Sequence, residues 1–361
     1  MNPTERLRQA GQSLWLDNIT RKLLDEGGLE AHIREHSVTG LTSNPTIFDK
    51  AIESSPAYDE EIARGVARGA SSEEIFFDLA IADLRRAADL FRPIHERTAR
   101  VDGWVSLEVS PLLLNDTQGT VEMAVELHGR AQRDNLFIKI PGTKAGLQAI
   151  EDSIFAGVPV NVTLLFSASQ YLRAAEAYMR GLERRIEAGL SPEVASVASV
   201  FVSRWDTAIR GKAPQEFQDK VGIAAATQAY RSYRQLLESP RWQRLSNWGA
   251  RAQRLLFAST STKDPSSPDT LYVSGLVAPF TINTMPDETL LAFADHGTVG
   301  EMLAVDGGGS EKLLADLKAA GFDPEQLAGQ LQEQGGESFA KSWHGLLACI
   351  NGKRQEAGVA S

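Results

Sequence analysis

The chain has 361 residues, of which 42% are hydrophobic and 23% charged, a composition typical of a globular protein with a sizeable core. Its formal net charge of -10 argues against the basic surface expected of a protein that binds nucleic acid or an anionic membrane. Cys349 is the only cysteine, which excludes an internal disulfide and a cysteine-rich metal site. The sequence shows neither a secretory signal nor an apolar run long enough to cross a membrane, so we expect a cytoplasmic protein.

Short apolar or alternating segments predict eight strands, separated by segments with helical periodicity. The predicted strands cover residues 13–19, 39–44, 103–109, 136–141, 159–166, 198–203, 254–259 and 271–277. The predicted helices between them include 73–91, 120–133, 143–155 and 167–186. From residue 286 onwards the pattern indicates several short helices, of which 310–321 and 337–354 are the clearest.

Strands that alternate with helices favour an α/β fold with a parallel sheet, and eight strands favour a closed (β/α)8 barrel over an open doubly wound sheet. A Rossmann fold would need a Gly-rich turn after the first strand, and LWLDNITRKLL contains no glycine. Neither a repeat nor a long linker divides the chain. We therefore predict a single TIM-barrel domain over residues 1–361, with additional peripheral helices and C-terminal helices, residues 286–361, packed on the barrel exterior.

Alternation along the strands separates an aliphatic face from a polar one. In LFIKI, Leu136, Ile138 and Ile140 share one face, and Phe137 and Lys139 share the other. Helices cover the aliphatic face of a barrel, so the polar face lines the lumen, and most of its polar residues stand near the carboxyl ends of the strands, where barrel active sites are built. The polar residues predicted to converge there are Asp17, Asn44, Glu108, Lys139, Asn161 and Thr163.

Several of these residues, taken singly, have a simpler explanation. Lys139 could be an edge-strand residue whose ammonium group extends to water. Asp17 could cap the following helix, and Asn44, which precedes Pro45, could form an Asx turn. Glu108 is harder to explain in this way, because an unpaired buried carboxylate is costly. The common face of all six residues favours a functional cluster.

A lysine, two carboxylates and several neutral polar groups on one face suit Schiff-base chemistry. An amine held away from water loses its proton more readily, and the neutral amine attacks a carbonyl to form a Schiff base. The Schiff base stabilises the carbanion that remains when the adjacent C–C bond breaks. Asp17 and Glu108 could divide the acid and base steps between them. None of the six histidines has metal-ligand spacing, so neither a metal nor a cofactor is predicted.

A series of motifs along the chain resembles those of the transaldolase family. The motifs are, in chain order, WLDNI, GLTSNPTIF, SLEVSP, FIKIPGT, NVTLLFS, ASVFVSRWD, FASTSTKDP and TINTMPDETL. The resemblance spans roughly residues 10–350 and implies a (β/α)8 barrel of the class I aldolase group. It also implies a reaction, the transfer of a dihydroxyacetone unit from sedoheptulose 7-phosphate to glyceraldehyde 3-phosphate, which yields erythrose 4-phosphate and fructose 6-phosphate.

The resemblance implies a role for each matching residue. Lys139 is implied to be the Schiff-base lysine, and Asp17 the base that takes the C4 hydroxyl proton. Glu108 and Thr163 are implied to position a water molecule for proton transfer. The implied substrate-binding residues are Asn44 and Asn161 for the dihydroxyacetone moiety, Ser199 and Arg204 for the phosphate, and Lys263 as a second phosphate-binding cation. The simpler alternative for Arg204 is a salt bridge with Asp206 or a contact at a helix end.

Two other functions stay open. A fructose-6-phosphate aldolase shares the barrel and the lysine but releases free dihydroxyacetone; such relatives tend to be shorter, with Gln in place of Glu108 and Tyr in place of Phe201. A non-catalytic barrel that binds sugar phosphates would have no need of a desolvated lysine and two carboxylates. The sequence favours a transaldolase with sugar phosphates as ligands and Phe201 in the binding site, and it leaves open whether the chain forms a homodimer.

Overall fold

Eight strands and sixteen α-helices make up the part of the chain that a computed structural model describes, residues 2–359, with side chains through residue 355. The strands are β1 (Ser13–Asp17), β2 (Val38–Thr42), β3 (Val105–Glu108), β4 (Leu136–Pro141), β5 (Val160–Leu165), β6 (Ser196–Phe201), β7 (Arg254–Ala258) and β8 (Ile282–Met285). The helices are α1 (Pro3–Gln9), α2 (Arg21–Asp25), α3 (Gly28–Glu35), α4 (Pro45–Ser54), α5 (Asp59–Ala67), α6 (Ser72–Arg97), α7 (Thr117–Ala131), α8 (Lys144–Ala156), α9 (Ala168–Glu187), α10 (Ser203–Ile209), α11 (Val221–Glu238), α12 (Pro240–Asn247), α13 (Leu271–Gly275), α14 (Asp287–His296), α15 (Ser310–Ala319) and α16 (Pro324–Val359).

The eight strands form one parallel sheet in the order β2-β1-β8-β7-β6-β5-β4-β3. The two end strands of this order meet through backbone hydrogen bonds. The N–H of Leu41 donates to the carbonyl of Trp104 at 2.9 Å, and the N–H of Gly103 donates to the carbonyl of Thr39 at 2.9 Å. The sheet therefore closes, and the predicted (β/α)8 barrel is confirmed.

The two faces of the strands pack into separate cores, as their alternation predicts. Leu136, Ile138 and Ile140 belong to the large aliphatic core between the sheet and the helices. Inside the barrel, near the amino ends of the strands, the ring of Phe137 stacks on Trp104 at 4.1 Å between centroids and lies 6.3 Å from Trp15. These rings fill the lower lumen, so only its upper part is left for polar side chains.

Capping residues start the helices that follow the strands. In α6, Ser71 accepts from the N–H of Glu74, whose side chain accepts in turn from the N–H of Ser71. Ser167 and Gln170 make the same reciprocal arrangement at the start of α9. The four helices predicted between the strands are confirmed, because their apolar stripes and caps agree. Within residues 2–359, no helix has both the length and the apolar character needed to cross a membrane.

The predicted strand over 271–277 is wrong. These residues form the short helix α13 and the turn after it, and the eighth strand is Ile282–Met285. The buried residues Tyr272, Val273, Leu276 and Val277 are spaced for one face of a helix rather than for a strand. The true strand is only four residues long, and its central Asn and Thr hide its apolar character. The other seven predicted strands are confirmed, with ends that differ by at most two residues.

The prediction of several short helices after residue 286 is correct for α14 and α15 but wrong for α16, a single helix of 36 residues. The prediction that the C-terminal helices pack on the barrel exterior is incomplete for α16, because this helix also crosses the carboxyl ends of the strands. Gln332 donates to the carbonyls of Gly142 at 3.1 Å and Leu164 at 2.9 Å. Residues 1, 360 and 361 of the predicted domain lie outside the described residues.

Gly103 provides a test of barrel closure. Its φ is +80°, and an added Cβ would lie 2.4 Å from the backbone nitrogen of His95, so we expect Gly103→Ala to destabilise the fold by about 1–3 kcal/mol. Gly129, in α7, has no atom within 4 Å of an added Cβ, and Gly129→Ala should not destabilise, because alanine favours helix. Urea unfolding of both variants measures the difference. Equal urea midpoints for the two variants would contradict the conclusion that barrel closure requires a glycine at position 103.

Candidate active site

A cavity of about 480 Å³ opens at the carboxyl ends of the strands. Its wall is formed by residues from seven strands or the segments that follow them, together with helices α4, α10 and α16. The sequence-predicted residues on this wall are Asp17, Asn44, Lys139, Thr163, Ser199, Phe201, Arg204 and Lys263. Glu108 and Asn161 are not on the wall and lie directly beside Lys139 in the sheet.

Lys139 lies at the centre of this arrangement. Strand β4 is flanked by β3 and β5, so the alternative of an edge-strand lysine is wrong. The side chain is only 5% exposed, and its Nζ donates to the carbonyl of Ser43 at 3.1 Å. The same Nζ lies 3.4 Å from Oε2 of Glu108. The ammonium group is thus held inside the barrel by one carbonyl and one carboxylate.

Glu108 is a buried carboxylate with unused hydrogen-bonding capacity. It stands opposite Lys139 in the parallel pairing of β3 and β4. Burial raises its pKa, which the neighbouring Lys139 ammonium opposes and the Asp17 carboxylate reinforces. Apart from the ion pair of Oε2 with Lys139, neither of its oxygens has a hydrogen-bond partner among the described residues, and the buried hydroxyl of Thr163 has none there either. Buried polar atoms of this kind ordinarily bond to ordered water.

Asp17 is the last residue of β1, and its side chain lies on the cavity wall. It accepts a hydrogen bond from the Thr42 hydroxyl at 2.7 Å. The alternative role as a helix cap is wrong, because Thr20 caps α2 through the N–H of Leu23. Burial raises the pKa of Asp17, and the Lys139 ammonium and the Thr42 bond oppose that rise. The raised pKa makes this carboxylate a stronger base than one in water.

Two amide side chains flank the lysine in different ways. Asn161 is the β5 neighbour of Lys139; its Nδ2 donates to Ser106 Oγ at 3.1 Å, and its Oδ1 accepts from Ser199 Oγ at 2.7 Å. Asn44 caps α4, where its Oδ1 accepts from the N–H of Ile47 at 3.1 Å. Asn44 is therefore a helix cap rather than the residue of an Asx turn, and it lies on the cavity wall as well.

Arg204 is a half-buried cation on the cavity wall. Its guanidinium carbon lies 5.0 Å from the ring centre of Phe201 and 5.9 Å from that of Phe339. The alternative salt bridge with Asp206 is wrong, because that carboxylate accepts from the N–H groups of Val221 and Gly222 and from Tyr272. Burial lowers the pKa of Arg204, and the Glu108 carboxylate opposes this effect. The aromatic rings leave the guanidinium free to meet an anion.

Two lysines add positive charge at the rim. Lys263 donates to Ser261 Oγ at 2.7 Å, and its charge lowers the pKa of Asp17. Lys50, in α4, also lines the cavity and was missed by the sequence analysis. The alternation that assigns strand residues to a face gives no information about an exposed lysine on a helix. Only the packing of α4 against the barrel could show that Lys50 lines the cavity. An acidic protein thus presents three cations, Arg204, Lys263 and Lys50, at one opening.

Helix α16 contributes to the site, which the sequence analysis did not predict. Ser338 and Phe339 form part of the cavity wall. Gly335 lies so close to the barrel that an added Cβ would be 2.8 Å from Leu164 and 3.2 Å from a guanidinium nitrogen of Arg204. Leu164 has a φ of +58°, at a break in the pairing of β5 with β6. The absence of a side chain at Gly335 thus lets α16 approach both the bulged part of β5 and the arginine.

A buried lysine with two carboxylates of raised pKa nearby is the arrangement that Schiff-base chemistry needs, and it places this closed barrel in the class of aldolase-type enzymes. Among the described residues, no three His, Cys, Asp or Glu side chains are grouped so that they could hold a metal ion. The family described as Transaldolase/Fructose-6-phosphate aldolase matches residues 14–350, and the chain belongs to this family.

Curated relatives agree with this assignment over nearly the whole chain. The chain is 43% identical to a protein named Transaldolase from Parafrankia sp., with 99% of each chain covered. It is 43% identical to a protein of the same name from Acidothermus cellulolyticus, over 99% of this chain and 98% of the relative. It is 42% identical to a Transaldolase from Neisseria gonorrhoeae, over 95% of this chain and 97% of the relative.

Gly335 tests whether α16 positions Arg204. We expect Gly335→Ala to displace the guanidinium group and to reduce severalfold the affinity of the cavity for inorganic phosphate, measured by the phosphate-dependent rise in Tm. Gly329→Ala is the matched control, because it adds the same methyl group to the same helix with nothing within 4 Å. Equal phosphate affinity in the two variants would contradict a positioning role of α16.

Proposed function

We propose that this chain is a transaldolase, which transfers a dihydroxyacetone unit from sedoheptulose 7-phosphate to glyceraldehyde 3-phosphate and yields erythrose 4-phosphate and fructose 6-phosphate. The observation that carries the proposal is the buried Lys139, whose Nζ lies 3.4 Å from Glu108 in a barrel that also holds Asp17. Membership in the family and the names of its relatives support the same reaction.

The first half of the proposed reaction forms the Schiff base. The neutral amine of Lys139 attacks the ketone carbon of the sugar and gives a carbinolamine, which loses water to form the C=N bond. This dehydration needs a proton donor beside the leaving hydroxyl. A water molecule held between Glu108 and Thr163 would serve, since Oε1 of Glu108 and the hydroxyl of Thr163 are buried with no hydrogen-bond partner among the described residues.

The second half breaks and remakes a C–C bond. Asp17 takes the proton of the C4 hydroxyl, the C3–C4 bond breaks, and its electrons pass into the protonated Schiff base while the aldose phosphate leaves. The raised pKa of Asp17 supports its role as the base. The carbanion stays on Lys139 until the next aldehyde arrives, and the same steps then run in reverse.

We assign the remaining residues to substrate binding. The amides of Asn44 and Asn161 suit the hydroxyls of the dihydroxyacetone moiety. The resemblance implies a phosphate contact for Ser199, but its bond to Asn161 at 2.7 Å favours a role at the dihydroxyacetone end. Arg204 and Lys263, with Lys50 in addition, would bind the phosphate at the rim.

Two residues favour a transaldolase over a fructose-6-phosphate aldolase. Glu108 is a carboxylate where such aldolases tend to carry an amide. Phe201, which lines the cavity and lies next to Arg204, supplies no hydroxyl group near the bound carbanion. A non-catalytic sugar-phosphate barrel is disfavoured, because the burial of Lys139 and Glu108 costs stability that simple binding would not require.

Three further expectations complete the proposal. We propose that the chain works as a single domain, that it acts in the cytoplasm, and that it needs no cofactor because the lysine itself supplies the electron sink. The single cysteine supports a reducing compartment such as the cytoplasm. A homodimer is compatible with the fold, and size-exclusion chromatography with light scattering would determine the oligomeric state.

Borohydride reduction tests the lysine, the substrate class and the reaction together. With fructose 6-phosphate present, we expect reduction to fix a covalent adduct on Lys139, located by peptide mass spectrometry. Lys139→Met should abolish the adduct, whereas Lys144→Met, which changes the lysine at the start of α8, should leave it intact. An adduct on Lys144, or none in the unmodified protein, would refute the mechanism.

Phe201→Tyr tests why the carbanion is retained. A tyrosine hydroxyl at this position would help to protonate the bound dihydroxyacetone carbanion, so we expect more free dihydroxyacetone per turnover and less transfer to the acceptor aldose. A coupled assay of dihydroxyacetone against erythrose 4-phosphate formation measures this partition. Phe166→Tyr, which changes a ring 5.5 Å from that of Phe201 but not on the cavity wall, is the control. An unchanged partition in Phe201→Tyr would contradict this explanation.

A further inference from the structure

Asp287 connects two other elements to the chain segment that follows β1. It is the first residue of α14 and directly follows Pro286, which lines the cavity. Its Oδ2 accepts a hydrogen bond from Nδ2 of Asn18 at 2.5 Å, and its Oδ1 lies 3.0 Å from Nε2 of His32 in α3. Asn18 is the residue after Asp17, so Asp287 holds the backbone that carries Asp17.

The Asp287 carboxylate is kept ionised by these contacts. Burial alone would raise its pKa, but the hydrogen bonds from His32 and Asn18 outweigh burial, and the pKa lies below its usual value. Its position in the first turn of α14 adds the favourable field of a helix N-terminus. On α3, His36 is the nearest other titratable ring, 5.5 Å from that of His32. A charged carboxylate is therefore fixed in place beside the site.

Asp17 is surrounded by charges of both signs. The groups that act on it are Lys139 from β4, Lys263 from the segment after β7, and Asp287 from α14. The two lysines lower the pKa of Asp17, whereas Asp287 raises it together with burial, the largest effect. Asp287 is thus a negative neighbour on the α14 side that favours a basic Asp17 carboxylate, in addition to Glu108 deeper in the barrel.

We propose that Asp287 is a positioning residue of the active site. It holds the segment of Asp17 through Asn18, is itself oriented by His32, and keeps a fixed negative charge near the Asp17 carboxylate. The inference rests on the proposed role of Asp17 as the base that takes the C4 hydroxyl proton. Asp287 touches neither the substrate nor the reacting atoms, and it acts through Asp17.

The proposal has a definite consequence for the pH dependence of turnover. Asp17 accepts a proton only when it is ionised, so kcat/KM should fall as the pH drops through the pKa of Asp17. Asp287→Asn removes a negative neighbour and lowers that pKa, so the acidic limb should move to lower pH. Asparagine has nearly the same shape but only one acceptor oxygen, so it keeps one of the two hydrogen bonds from Asn18 and His32. A purely structural role would change kcat and leave the limb unmoved.

The experiment compares full pH profiles of kcat/KM for the unmodified protein, Asp287→Asn and Asp295→Asn. Asp295 lies on the same helix with an 85% exposed side chain, and its variant should match the unmodified protein. Borohydride trapping on Lys139 is measured in all three. A limb that stays in place in Asp287→Asn, while adducts still form, overturns the role of Asp287 and leaves the proposed function standing. Absence of the adduct in the unmodified protein overturns the proposed function and, with it, this inference.

His32→Phe keeps the inference testable if Asp287→Asn folds poorly. This variant removes one of the two bonds that orient Asp287 and leaves the carboxylate with its bond from Asn18, so kcat should fall severalfold while the acidic limb does not move to lower pH. Far-UV circular dichroism establishes that each variant is folded. A shift of the acidic limb to lower pH in His32→Phe would mean that disturbing this region moves the limb whether or not Asp287 keeps its carboxylate, and it would overturn the proposal.

Discussion

The burial of the Lys139 ammonium group beside the Glu108 carboxylate sets the demands that the rest of the barrel meets. Taking such charges out of water costs several kcal/mol each, and the pair offsets this cost only when its geometry is held closely. The parallel register places Glu108, Lys139 and Asn161 side by side on β3, β4 and β5. A one-residue slip of any of these strands would turn its polar residue outward.

The two ends of the lumen have different roles, one in packing and the other in forming the cavity. At the amino ends of the strands, stacked rings such as Trp104 and Phe137 exclude water and support the layer above them. At the carboxyl ends, the same lumen opens into the polar cavity. The position of Lys139 two residues beyond Phe137 means that one strand contributes both to the rigid floor and to the reactive group. Rigidity below the site is what allows precise placement within it.

Charge is distributed by depth. The carboxylates Asp17 and Glu108 lie near the lysine, where burial raises the pKa of each, and the cations Arg204, Lys263 and Lys50 lie on the cavity wall towards its rim. An anionic sugar phosphate would therefore meet positive charge first, while its carbonyl end reaches the lysine. The arrangement explains how a protein with a net charge of -10 can accept anionic substrates.

Sequence alone determined what depends on local pattern. Alternation along a strand decides which side chains share a face, and this pattern is sufficient to assign Asp17, Glu108 and Lys139 to the lumen. The roles of helix α16, Gly335 and Lys50 have no such local signal, because they depend on which distant segments approach the barrel mouth. The eighth strand was misplaced for a similar reason: a four-residue strand with a polar centre is stabilised by its neighbours in the sheet and not by its own composition. Long-range packing, which no local pattern encodes, completed the site.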